Sequence, residues 1–221
     1  MPDPAEPGVW EFLGMKPFVR GQLFIGLLRI LRDDLPLDPN SPGHGIGWTE
    51  LCTSRDGENW TWHHKPYLDR SADHPDAQDH ASAYASECIT VGDQDYIYFA
   101  ASRGGHKTNS SVLALAKQPK NRFVSRDAGD TAAVLLTPLL VLNARTMTLN
   151  ADVRGRLNVR LLNEDDQPIA GFETPSNEPI AGDSLAHKVN FPKSITTLAA
   201  RPVRIEFTLQ NASVFGFDLE K

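Results

Sequence analysis

Cysteine is nearly missing from this chain: Cys52 and Cys88 are the only two in 221 residues. Two thiols cannot build a disulfide framework or a four-ligand zinc site. Each lies in an apolar, strand-like run, where a free buried thiol is the favoured state and a single bridge between neighbouring repeats is the alternative. Long hydrophobic runs are missing too. The longest, residues 132–142, is too short and too interrupted to cross a bilayer, so neither a transmembrane helix nor a membrane partner is expected. Positive charge is in deficit, with 22 Lys and Arg against 28 Asp and Glu and a net charge of −6. Phosphate binding needs a basic stripe, so no nucleic-acid partner is expected. The small cationic cluster Lys117, Lys120, Arg122 and Arg126 borders a turn and reads as solvated surface. The start, Met1-Pro2-Asp3-Pro4-Ala5-Glu6-Pro7, has no basic stretch followed by an apolar core, and no export signal is visible in it.

Helical periodicity is also scarce. Residues 21–32 can pass for a helix, but Gln22-Leu23-Phe24-Ile25-Gly26 reads equally well as a buried strand, and the surrounding pattern favours the strand. What is present, from end to end, is short β-branched and aromatic runs separated by Gly, Pro, Asn and Asp, which is an all-β signature. Hydrophobic residues at 40% and charged residues at 23% are the balance of a chain that buries a core rather than staying disordered.

Two stretches of the first half look like versions of one unit. The first has strands at 12–18, 23–30 and 48–54, a tight turn at Arg20-Gly21, a long polar loop, and the closing turn Arg55-Asp56-Gly57-Glu58-Asn59-Trp60. The second has strands at 86–91, 96–101 and 111–116, a tight turn at Gly92-Asp93, another polar loop, and a closing turn over 117–123. That order matches a meandering propeller blade. Blades bury their faces only by stacking, and 127 residues hold two to three of them. The expectation is therefore an incomplete propeller over 1–127, completed by another chain or by blades preceding this segment, with a compact sandwich of the two units as the alternative. From Ala128 the texture changes to closely spaced strands near 133–136, 139–142, 146–153, 157–162, 169–172, 187–191, 203–209 and 213–219. These predict a jelly-roll-like β-sandwich over 128–221. Asn163-Glu164-Asp165-Asp166-Gln167-Pro168 is a hairpin turn by its residue chemistry. Its acids lack the further oxygen ligands a calcium loop requires.

The run Thr53-Ser54-Arg55-Asp56-Gly57-Glu58-Asn59-Trp60 resembles the Ser-x-Asp-Gly-x-x-Trp turn of five-bladed propellers in the glycoside hydrolase 32, 43 and 68 superfamily and of sialidase-type blades. Glu87-Cys88 resembles the Glu-Cys motif of invertase-like enzymes, whose glutamate is the general acid. The tail resembles the β-sandwich of planctomycete-type glycosyl-hydrolase-like proteins. Its matching segments are the junction at 123–129, the stretch Pro168-Ile169-Ala170-Gly171-Phe172, and Gly182-Asp183-Ser184 leading to His187. The resemblance implies glycosyl hydrolysis of an oligo- or polysaccharide. The family's early nucleophilic aspartate and Arg-Asp-Pro motif have no counterpart here; the resemblance places them in blades outside this segment.

Glycoside cleavage needs two carboxyl groups, one of them protonated. Glu87 is the candidate acid, because desolvation in an apolar strand would raise its pKa. Asp79 and His80 in one connecting loop, and Arg103 and His106 in another, are candidates to hydrogen-bond sugar hydroxyls. Trp62, beside His63 and His64, is the candidate platform for a sugar ring, with Trp60 assigned to packing. His63, His64 and His74 suggest a metal, but adjacent strand side chains point to opposite faces, so neither metal nor cofactor is expected. The second reading is a non-catalytic module that binds carbohydrate or another protein.

Overall fold

A computed structural model describes residues 11–37, 44–106, 108, 111–175 and 179–221. Their regular structure is all β apart from one short 3₁₀ turn, Ile195–Leu198. The chain divides into two compact units, Met1–Lys120 and Asn121–Lys221. Among the described residues no helix is long and apolar enough to cross a membrane.

The first unit contains two antiparallel meanders. One runs through β1 (Glu11–Arg20), β2 (Leu23–Pro36), β3 (His44–Ser54) and β4 (Trp60–Leu68). The other runs through β5 (Ser82–Val91), β6 (Gln94–Ser102) and β7 (Ser111–Pro119). Every strand expected for the two repeats falls inside one of these seven. Both repeats open with the same device. Gly21 and Gly92, at φ 56° and 60°, take the left-handed position of two-residue hairpins that only glycine enters without strain.

Among the described residues, one parallel bridge, Gly47 to Ser82, is the only strand pairing between the meanders. Beyond that bridge, side chains supply partners to the edge of β5 at Ala83 and Ala85. Arg29 Nε donates to Ala85 O at 2.9 Å, while Thr49 Oγ1 donates to Ala83 O at 2.9 Å and accepts from Ala85 N at 2.8 Å. Buried backbone groups must be paired, and the small Ala81, Ala83 and Ala85, all fully buried, let the side chains reach them. Arg20 to Asp95 at 3.5 Å and Tyr67 Oη to Gln118 Oε1 at 2.5 Å close the joint further along.

The second unit is one curled six-stranded sheet, where about eight strands of a jelly-roll-like sandwich were expected. Its members are β8 (Arg126–Ala128), β9 (Ala133–Leu136), β10 (Leu140–Val141), β11 (Thr146–Leu162), β12 (Ile180–Lys188) and β13 (Pro202–Glu220). The strands expected at 146–153 and 157–162 are one strand, as are those at 203–209 and 213–219. Bends stand where separate strands were expected to meet. A Cβ at Gly155 would lie 2.5 Å from Gln210 O, and opposite it Asn211 turns at φ 46°. The slip there lets β13 carry its core side chains on odd positions up to Leu209 and on even ones at Ala212 and Val214, before a second slip at Phe215 returns Phe217 and Leu219 to the core side. Phe172, Ile180, Val189, Phe191, Ile195 and Leu198 fill the core with the apolar sides of β11 and β13. Across the two long strands Arg160 pairs with Glu206 through a fork of 2.6 and 2.9 Å.

The expected break at Ala128 lies inside β8, which pairs with β13, whereas the compact units part at Lys120. Arg122 is not the solvated cation the sequence suggested. Its side chain is 9% exposed, lies 4.5 Å over the Phe215 ring, donates to Asn150 Oδ1 at 2.8 Å and pairs with Asp183. A guanidinium stacks and forks at once, so a basic residue beside a turn becomes a clamp on the sheet.

Candidate functional site

Antiparallel order sends connections alternately to the two ends of the first unit. Short connections at 21–22, 55–59 and 92–93 share one end; the loop at 69–81 and the residues 103–106 that follow β6 share the other. Long loops on a strand scaffold are where binding groups concentrate. Four of the six residues singled out in the sequence sit at that end: Asp79 and His80 between β4 and β5, Arg103 and His106 between β6 and β7.

The two loops are tied together. Arg103 Nε donates to Pro75 O at 3.1 Å and its guanidinium pairs with Asp76. Within the β4–β5 loop, Arg70 donates to His80 O at 2.7 Å, Ser71 N to Asp79 O at 3.2 Å, and His80 Nδ1 lies 3.1 Å from Ser71 O. Ala81 N reaches Ser102 O at 2.8 Å, anchoring the loop base to β6. His106 comes against the start of β3: a Cβ on Gly45, at φ 87°, would lie 3.2 Å from both His106 Cβ and Asp33 Oδ1. Arg103 and His106 are exposed and Asp79 is half-buried, in a loop whose backbone is held by hydrogen bonds. Arg103 is engaged in joining the loops, a positioning role rather than a free contact.

The other two candidates lie on strands, and for both the structure corrects the expectation. Glu87 is not desolvated. Its side chain is 46% exposed and its carboxylate meets Lys16 Nζ on β1 at 2.8 Å. The Lys16 ammonium is the main reason its pKa is lowered from the ordinary glutamate value, with help from Cys88 N at 3.2 Å. This is the opposite of the shift a general acid needs. Trp62 is half-buried rather than an open platform. Its Nε1 donates to Glu50 Oε2 at 2.5 Å, the His64 ring stands 4.1 Å from it and Phe12 meets it edge-on at 5.4 Å.

Glu50 is the residue that sequence reasoning missed. It is 1% exposed, and Trp48 Nε1 donates to its other oxygen at 2.7 Å. The one available signal was the alternation Trp48-Thr49-Glu50-Leu51-Cys52, which puts the carboxyl on the face of Trp48 and Cys52. Burial pushes the Cys52 thiol up to about 11, with the Glu50 charge adding to it. Burial first and Asp95 second do the same for Cys88, and both thiols are free. Among the described residues, no three His, Cys, Asp or Glu side chains group as a metal ion would require.

The turn that carries the resemblance is a closed hydrogen-bond system. Asp56 accepts from Ser54 Oγ, Glu58 N, Asn59 N and Asn59 Nδ2 at 2.8 to 3.0 Å, and Ser54 Oγ accepts from Gly57 N at 2.9 Å. The Asn59 side-chain amide leads these donors in holding the Asp56 pKa far below the ordinary aspartate value. Its carboxylate is committed to the turn. The chain matches no protein-family model and no curated protein.

Proposed function

We propose that this chain is a glycoside-hydrolase-like module that binds an oligo- or polysaccharide without cleaving it, using the long-loop end of its first unit. On this reading β1–β4 and β5–β7 are successive propeller-type blades and the curled sheet of the second unit is an accessory domain. The observation that carries the proposal is that Arg103 fastens the loop that follows β6, which carries His106, to the loop that carries Asp79 and His80. Carboxylate and imidazole groups on a fixed backbone match the paired donors and acceptors of sugar hydroxyls, and a preorganised loop loses little entropy on binding.

Binding rather than hydrolysis follows from the carboxyl chemistry. Hydrolysis requires a protonated acid beside a second carboxylate, whereas Glu87 is ion-paired to Lys16. Affinity electrophoresis and calorimetry against soluble fructan, arabinan and xylan test the reading. Retention on at least one polymer is expected, weakened roughly tenfold by Asp79→Ala or His106→Ala, about what losing one hydrogen bond to a charged or polar group costs. No reducing sugar should be released. Retention of none of these polymers, or retention indifferent to both substitutions, overturns it. Sugar release that disappears in Glu87→Gln would restore a catalytic reading.

A further inference from the structure

The two repeats of the first unit differ in one place. In the first, β4 lies antiparallel along the outer edge of β3, from Thr53 opposite Thr61 to Thr49 opposite Leu68. In the second, β7 takes the place of β3, and among the described residues its only strand partner is β6. Among the described residues no strand takes the fourth position. An unpaired edge is a template for another strand unless it is blunted by charge, proline, a bulge or brevity.

Among the described residues, the other long outer strands carry such devices. β1 has Pro17, Lys16 and a register shift at Gly14. β4 has Lys65, Pro66 and a left-handed His64. β12, the outer strand of the second unit beside β11, has register shifts, Asp183 and Lys188. β7 is nine residues long, keeps unbroken register with β6, and holds a single charge, Lys117, and a single proline, its last residue. It also exposes Val112 at 43%, Leu113 at 74% and Leu115 at 41%. Leu113 and Leu115 share the face on which Lys117 covers the Tyr96 ring at 4.5 Å, opposite the face from which Gln118 reaches Tyr67.

We propose that β7 is a self-association edge, at which two copies of this chain pair β7 with β7 antiparallel across a two-fold axis near Ala114. The sequence Ser111-Val112-Leu113-Ala114-Leu115-Ala116-Lys117 is self-complementary in that register. Leu113 of each copy lies opposite Leu115 of the other, Val112 opposite Ala116, and Lys117 opposite Ser111. No charge meets its like, and each apolar side chain meets an apolar one. A two-fold interface requires this match of a patch with itself, and cross-strand apolar pairs are the units that stabilise it. The inference stands apart from the carbohydrate reading, which uses the loops and not this edge.

Sedimentation velocity and light scattering on the full chain at tens of micromolar provide the test. The expected species is a dimer. Leu113→Lys with Leu115→Lys sets lysine against lysine twice and should give a monomer whose tryptophan emission and melting are unchanged, since both leucines are exposed. Ala114→Cys, opposite its own copy, should form a covalent dimer under mild oxidation, while the buried Cys52 and Cys88 leave the parent chain unlinked. A monomeric parent chain, a dimer that survives the double lysine substitution, or an Ala114→Cys variant that stays unlinked each overturns the proposal.

Discussion

Glu50→Ala removes the one acceptor shared by two indoles. Trp48 and Trp62 donate to separate oxygens of this carboxylate at 2.7 and 2.5 Å, and the residue is 1% exposed. A buried donor left without a partner costs about 1–3 kcal/mol, so two cost roughly 2–6 kcal/mol. Against this stands relief of a desolvated charge, since replacing a buried ion by an apolar group can itself stabilise. The donors remain in place after the substitution, so the first effect wins and a net loss of about 2–4 kcal/mol is expected. Glu50→Gln keeps an amide oxygen for one indole and should lose about half as much. The assay is urea unfolding followed by tryptophan emission, which reports the first unit alone because Trp10, Trp48, Trp60 and Trp62 all lie within it. The decisive comparison is a double-mutant cycle with Trp62→Phe. Once Glu50 is gone, removing the Trp62 donor removes an already orphaned group, so the double variant should be about 1–2 kcal/mol less destabilised than the sum of the singles. Additivity within about 0.5 kcal/mol would refute the argument that the carboxylate holds the indoles.

Three further outcomes follow from the geometry. The Lys16 pair lowers the folded pKa of Glu87, so its contribution is present above the ordinary glutamate value and fades as pH falls through the folded one. A carboxyl-carbon NMR titration should find Glu87 below the ordinary range and returned toward it in Lys16→Met; an unmoved titration would refute the pair. Gly155→Ala forces a Cβ to within 2.5 Å of Gln210 O, and should cost the second unit about 1–3 kcal/mol as an overpacked site. A lowered circular-dichroism transition with the tryptophan transition unchanged is the expected reading. Cys52 and Cys88, buried with thiols pushed up to about 11, should resist a disulfide reagent at pH 8 until guanidinium unfolds the chain; rapid native labelling of either would contradict their burial.

Strand positions in the first unit were legible because their signals are local: period-two alternation and a glycine at each tight hairpin. The loop end was legible for the same reason, since antiparallel order sends 69–81 and 103–106 to one side. In the second unit the same cues misled. Gly155 and the Asn211 region look like turns along the chain, but β11 and β13 stay paired across both, so each is a bend in one strand rather than a break between two.

Side-chain states were the least legible, and Glu87 and Glu50 show why. The expectation for Glu87 rested on its apolar neighbours in sequence, yet neighbours along a strand point to the opposite face. What surrounds Glu87 is water and Lys16, which comes from another strand. Glu50 stands in an equally apolar run and is buried. Its surroundings are set by Trp62, carried to it by β4, whose place beside β3 depends on the Asp56 turn holding the hairpin. The motif that carries the family resemblance thus bears on the unit through packing. It positions the strand that delivers an indole to a buried carboxylate, and its own aspartate is engaged by backbone and side-chain donors of the turn.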